Sequence, residues 1–362
     1  MGVSGGKTLG DFVDGRTNNF DALRLFAALL VLVAHSFALA GEGIDSLIKI
    51  LGGYRPTSIG VYIFFIISGF LVTGSIQRRS LPEYIAGRVF RIIPALTVTV
   101  FVTALVVGPI FTELSVGEYF GNDQVYKYLF NSIPYSIEFT WPGLFTDLPF
   151  ANGVNGSLWT LPIESLCYVV LAGIYLLGFR TVHLMIPACL VVALLVLLNG
   201  VTSVLDGRVL FGTTMLSSSF QYGLMFGIGA SMWALRYRIA INDGWAIASV
   251  GVLFIGSITG FVGFFVYVGL PYLVMFCAYR RPILQRFMAN LGDLSYGTYL
   301  FAFPIQQVIV YTFSGEISGL SLAVISGVVS MGLAWCSWRV IESPAMKFKS
   351  RLFYNAGSVN AL

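Results

Sequence analysis

The chain has 362 residues, 57% of them hydrophobic and only 10% charged. With a mean hydropathy of +0.83, it cannot close into a soluble globule with a polar shell. The net charge of +4 does not point to nucleic acid, because the basic residues alternate with apolar runs and build no contiguous basic face.

The composition predicts an all-α polytopic membrane protein. Hydropathy and turn residues place about ten transmembrane helices, near 20–40, 59–76, 92–112, 158–179, 182–199, 213–234, 244–260, 262–279, 294–313 and 318–338. Residues 1–19 precede them, 20–340 form one transmembrane domain, and 341–362 form a C-terminal tail. With a cytoplasmic N-terminus, the inner segments collect Arg78, Arg79, Arg88, Arg91, Arg180, Arg236, Arg238, Arg280, Arg281, Arg339, Lys347 and Lys349, among others. The outer ones hold only Lys49, Arg55, Lys127 and Arg208. That asymmetry places both termini in the cytoplasm. The pair of spans meeting near Thr259, Gly260 and Phe261 leaves room for a re-entrant hairpin instead.

The first span, FDALRLFAALLVLVAHSFALA, follows Lys7 and Arg16 and ends Ala38, Leu39, Ala40, much as a secretory signal does. Arg24 and His35 interrupt what a signal core keeps uncharged, so the span is expected to be retained. An ionisable group inside a span is costly and is ordinarily found in a cavity or pathway with partners. Arg24 and His35 are eleven residues apart, which puts them on one helix face about 16 Å apart along the axis. Arg24 is expected near the inner boundary and His35 near the outer one. A snorkelling Arg and a hydrogen-bonded structural His are the simpler alternative. The second histidine, His183, begins a span beside Arg180, where an interfacial position needs no chemistry. His35 is therefore the candidate base.

The longest outer segment, 113–156, is rich in aromatics, among them Tyr128, Trp141 and Phe145. Such residues stack on sugar rings, although anchoring at the membrane interface accounts for most of them. After it, NGSLWTLPIESLCY carries Asn155, Ser157, Trp159 and then Glu164, the acid most embedded in apolar sequence. Counting seven residues from Ser157 sets Glu164 about 10 Å below the outer surface, near the depth of His35, where the two are expected to pair. Pairing of Glu164 with a tyrosine, or with backbone freed by Pro162, is the structural alternative. On the inner side, RRSLPEYIAGRVFRIIPA presents Arg88 and Arg91 one turn apart, a cluster that suits phosphates. Ser68 and Gly69, in GVYIFFIISGFLV, read as small residues for close helix packing, and Tyr296 and Tyr299 as cavity or packing tyrosines.

Taken in order, Arg24 with His35, GVYIFFIISGFLV, RVFRIIPA, NGSLW with Glu164, and SYGTYL resemble the signature of the membrane-bound acyltransferase family 3. Its bacterial members O-acylate cell-surface and secreted glycans. The resemblance implies a bacterial inner (cytoplasmic) membrane location and an acyl-CoA co-substrate, with acetyl-CoA the expected donor. It implies no tightly bound cofactor. It also implies Arg24, Arg88 and Arg91 near the donor phosphates, His35 and Glu164 at the transfer centre, and a glycan or lipid-linked sugar as acceptor. Ser68, Asn155, Ser157, Trp159, Tyr296 and Tyr299 are then second-rank candidates around the cavity. Two positions depart from the pattern: Tyr62 stands where many members carry an acid, and Ala302 where many carry His. No appended hydrolase-like domain is expected. The competing function is a proton-coupled transporter or exporter of a glycan-related substrate, which also uses buried Arg, His and Glu; against it, no two halves of matching hydropathy are visible.

Overall fold

The computed structural model describes residues 7–14, 17–139, 141, 143–177, 185–280 and 284–359. His183, Arg180 and Arg281 lie outside these residues. Ten long helices dominate: α1 (Phe20–Leu39), α2 (Pro56–Arg78), α3 (Leu81–Val102), α4 (Thr160–Leu176), α5 (Met185–Thr202), α6 (Leu216–Ala234), α7 (Asp243–Thr259), α8 (Val262–Tyr279), α9 (Ser295–Thr312) and α10 (Gly319–Ser337). Each corresponds to one predicted segment. An eleventh, α11 (Ser343–Val359), follows α10 through a π-helical turn at Trp338–Glu342. The one hairpin among the described residues pairs β1 (Val209–Phe211) antiparallel with β2 (Thr214–Met215).

Among the described residues, six helical runs are long and apolar enough to cross a membrane: Phe20–Leu39, Pro56–Arg78, Leu81–Phe111, Gly156–Leu176, Val262–Tyr279 and Gly319–Phe353. The chain is thus a multi-pass membrane protein. The segments that start these helices are conventional. Pro56 opens α2, where its missing N–H costs nothing. Ser80 caps α3 by accepting from the Glu83 amide at 3.4 Å. Gly260, in the left-handed conformation, turns α7 directly into α8, so the pair forms a tight helical hairpin.

Close helix approach builds the centre. A Cβ on Gly69 would overlap the backbone carbonyl of Phe226, and one on Gly229 the carbonyl of Ile66. The α2–α6 contact is therefore made backbone to backbone, as the small residues of SGF predict. On the other side of α2, Gly60 lies against Ala27 and Val31 of α1. Both ends of the described chain meet the same end of the bundle. The Ile241 amide donates to the Lys7 carbonyl, and the Lys349 ammonium to Glu83 at the start of α3. That end also carries Arg24, Arg78, Arg88 and Arg91, and is termed the basic end here.

Two expectations change. The predicted tail boundary at 340 falls inside a continuous helical run, and Glu342, only 1% exposed, is packed in the bundle. The segment 113–156 is not simply a surface loop. Tyr119, Tyr128 and Trp141 are buried and stacked, with Tyr128 and Trp141 ring centroids 4.5 Å apart, so these rings are core and offer no face to a sugar.

Candidate active site

The last part of that segment dives into the bundle. Gln307 of α9 donates to the carbonyls of Phe150 and Gly153, and Asn155 donates to the Leu300 carbonyl at 3.0 Å. Asn155 and Ser157 are each 1% exposed. Because α4 starts at this depth rather than at a surface, Glu164 sits about 10 Å deeper still. Its carboxylate accepts from Ser68 at 3.2 Å and from the Tyr168 hydroxyl. Tyr168 is level with the first turns of α3, since its carbonyl accepts from Tyr84.

Glu164, Ser68 and Tyr168 line a cavity of about 260 Å³ together with Arg24, Arg88, Arg91, Tyr296 and Tyr299. Five of the helices meet here: α1, α2, α3, α4 and α9. Met346 of α11 reaches the same cavity. Thr160 and Tyr299 share a 2.8 Å hydrogen bond, and Tyr299 also donates to the Ser157 carbonyl at 2.7 Å. Phe64 packs edge-on against Tyr299, and both rings line the cavity. Tyr296 donates to the Ile92 carbonyl at 2.9 Å, which fixes its ring under Arg91.

The three predicted arginines are not equivalent. Arg91 donates to Glu342 at 3.0 Å and to Asp293 at 2.5 Å, and its guanidinium lies over the rings of Tyr296 and Trp338. Arg24 is 3.7 Å from the same Asp293 and 3.9 Å from Asp21. Asp293 accepts further bonds from the amide and hydroxyl of Ser295. Burial opposes ionisation of Asp293, but Arg91, Arg24 and Ser295 outweigh it and hold the carboxyl below its usual range. Arg88 has no carboxylate within ion-pair distance among the described residues. Its guanidinium stacks over Tyr168 at 5.6 Å, and its Nε is buried without a hydrogen-bond partner. An unpaired buried donor beside a cavity is a place for an anion.

His35 lies elsewhere. It is not among the residues lining this cavity, and it makes neither hydrogen bond nor ion pair with Glu164, so the expected pairing does not form. The reason is the depth of α4. Glu164 is level with the Arg24 end of α1, whereas His35 is about 16 Å further along that helix. The imidazole instead rests edge-on against Phe303 at 5.3 Å, and its buried Nδ1 has no partner. Phe303 also packs on Phe150 and abuts Gly156. Beside it, the Gln306 amide donates to the Leu32 carbonyl and the Ser36 hydroxyl, tying α9 to α1. Along α9, Phe303 is one turn beyond Tyr299, so His35 stands about one turn past the cavity's inner end. Trp159 is set apart too, against Tyr222, which packs with Tyr62.

Residues 17–339 match the model of an acyltransferase domain. The chain belongs to the acyltransferase family 3. It is 31% identical over 348 residues to an O-acetyl transferase of Shigella phage Sf6, covering 90% of this chain and 95% of that protein. It is 30% identical over 376 residues to nodulation protein 10 of Rhizobium leguminosarum bv. viciae, covering 93% and 95% respectively. No solved structure matches it. This acyltransferase therefore contains two polar centres on one helix, and the sequence reading omitted two carboxylates of the first. Asp293 was legible as an acid two residues before SYGTYL; Glu342 was hidden by its assignment to a tail.

Proposed function

We propose that this protein is a transmembrane O-acyltransferase that moves an acetyl group from acetyl-CoA, held at the basic end, to a hydroxyl of a glycan or lipid-linked sugar arriving from the far end. The observation that carries the reading is the arginine-lined cavity whose inner end stops one turn short of His35. Donor phosphates bind at Arg88, while Arg24 and Arg91, each paired with carboxylates, form the wall beside it. The pantetheine arm runs past Ser68 and Glu164, whose hydroxyl and carboxylate partner its amides, and brings the thioester toward Tyr299 and His35. Binding of the remote phosphates positions the acyl carbon.

At His35 the acceptor oxygen attacks the thioester carbonyl. The new C–O bond forms, the C–S bond breaks, the acceptor proton passes to the imidazole, and that proton then goes to the departing thiolate. His35 is a direct base in this scheme rather than a nucleophile. Glu164 acts in the cavity and not by orienting the imidazole. The basic end is cytoplasmic and the membrane is the bacterial inner membrane, which supplies CoA thioesters on one side and glycan precursors on the other.

The test uses purified full-length protein in lipid nanodiscs. Desulfo-CoA should bind by calorimetry, and cells expressing the protein should move radiolabelled acetyl from acetyl-CoA into their glycan fraction, with His35→Ala failing to do so. Absence of both binding and label transfer overturns the proposal.

A further inference from the structure

We infer that Arg79 and Lys349 join Arg88 around Gly87 to form a phosphate-binding mouth on this cavity, with the C-terminal helix α11 supplying one of its cations. The inference rests on the donor reading above and extends it to residues outside the expected set. Gly87 lines the cavity, and a Cβ built there would meet only Arg79 Nη1 at 3.9 Å and Lys349 Nζ at 4.0 Å. The glycine thus leaves a cradle whose nearest walls are two cations. Both of them share one carboxylate oxygen, Glu83 Oε1, at 3.5 Å and 3.4 Å. Next to Gly87 in the chain, Arg88 keeps its buried Nε unpaired.

Charge accounting separates this cluster from its neighbour. Arg24 and Arg91 face Asp293, Glu342 and Asp21, so that group is already compensated. Arg79 and Lys349 share Glu83, and Arg88 is in no ion pair among the described residues; against these three cations stand Glu83 and the cavity's Glu164, which leaves one positive charge over. The Lys349 side chain is only 5% exposed, and its ammonium shares its carboxylate partner, Glu83, with Arg79 and lies 5.8 Å from the Phe353 ring centroid, so a further anion would add to its pairing. A nucleotide bearing several phosphates supplies what is missing: multiple charged acceptors, spaced along a groove that the glycine at position 87 leaves open.

Calorimetric binding of desulfo-CoA to the full-length protein in nanodiscs tests this. Lys349→Met and Arg79→Gln should each weaken binding roughly 5- to 10-fold, the loss of one charge-assisted contact. Lys349→Arg should restore most of it, and Gly87→Leu, which fills the cradle, should weaken it as well. Arg351→Gln, an exposed change on the same helix, should not alter affinity. If Lys349→Met fails to fold, Arg79→Gln decides alone, since that side chain is 42% exposed. Unchanged affinity in these variants, with Arg88→Ala still weakening binding, overturns the mouth and leaves the donor reading standing. Failure of the unmodified protein to bind desulfo-CoA overturns both. Loss of thermal stabilisation by phosphatidylglycerol in the variants, with desulfo-CoA affinity intact, assigns the cations to a lipid headgroup and also overturns it.

Discussion

Around Arg24, two acids and a second arginine hold charge against charge within the bundle. Three turns along the same helix, His35 is met by Phe303, a carbonyl-bound glutamine and a buried nitrogen with no partner. Both positions place an ionisable group in apolar surroundings. The first sets its charges against one another, each member of the Arg24–Asp293–Arg91–Glu342 chain lying against a group of opposite sign. The second has no ion-pair partner among the described residues, the setting that the proposed base role requires. A single helix therefore keeps a charge-paired cluster and an unpaired imidazole about three turns apart.

The sharpest way to break this contrast is at His35. His35→Ala should lower the rate of acetyl transfer by about 10²- to 10⁴-fold, the range for losing a general base, while desulfo-CoA affinity stays within about twofold of the unmodified value. Equal loss of both would merge the two centres. Glu342→Ala should cost about 3–5 kcal/mol of stability by leaving Arg91 facing one carboxylate fewer in a buried setting; thermal unfolding in nanodiscs measures it. Unaltered melting would mean that the clamp is not structural. Arg88→Ala should raise the apparent KM for acetyl-CoA on the order of tenfold with little change in melting, whereas Arg91→Ala should lower melting first. The reverse ranking would return Arg91 to the phosphate role. The smallest effect concerns acid. Asp293 titrates below its ordinary value of 3.8, so its contribution to stability is fully present above that value and declines as pH falls through the lower folded-state value. Asp293→Asn should flatten the acid limb of a melting-versus-pH curve; an unchanged limb would assign acid sensitivity elsewhere.

The helices were legible because apolar runs bounded by arginine and proline read directly as membrane-length segments, and Gly69 was legible as a packing residue because few other roles suit a glycine there. Among the cavity's polar members, Arg24, Arg88, Arg91, Ser68, Glu164, Tyr296 and Tyr299 stood out in the chain and are brought together, whereas Thr160, Tyr168 and Ser295 did not stand out. Depth was the unreadable quantity. Hydropathy assigns a loop to the surface, yet Gln307 and Asn155 fix 150–157 inside the bundle through hydrogen bonds to residues some 145 positions distant. No local signal reports such a partner. That single misplacement carried Glu164 to the wrong level and suggested a pairing that geometry does not permit. The tail erred for a related reason, since WRVIESP is too polar to read as packed until Arg91 is placed opposite Glu342.

The inserted segment before α4 also bears on how the chain is assembled. Irregular backbone survives at membrane depth only when protein satisfies its polar groups, and here the satisfying atoms, the Leu300 carbonyl and the Gln307 amide, belong to a helix synthesised more than a hundred residues later. Until α9 arrives, Asn155 and the carbonyls of Phe150 and Gly153 have every reason to stay in water, which holds α4 back toward the far side. The cavity around Glu164 is therefore complete only once SYGTYLFAFPIQQ is in place, since Tyr296 and Tyr299 line it and Gln307 ties α9 to the chain ahead of α4.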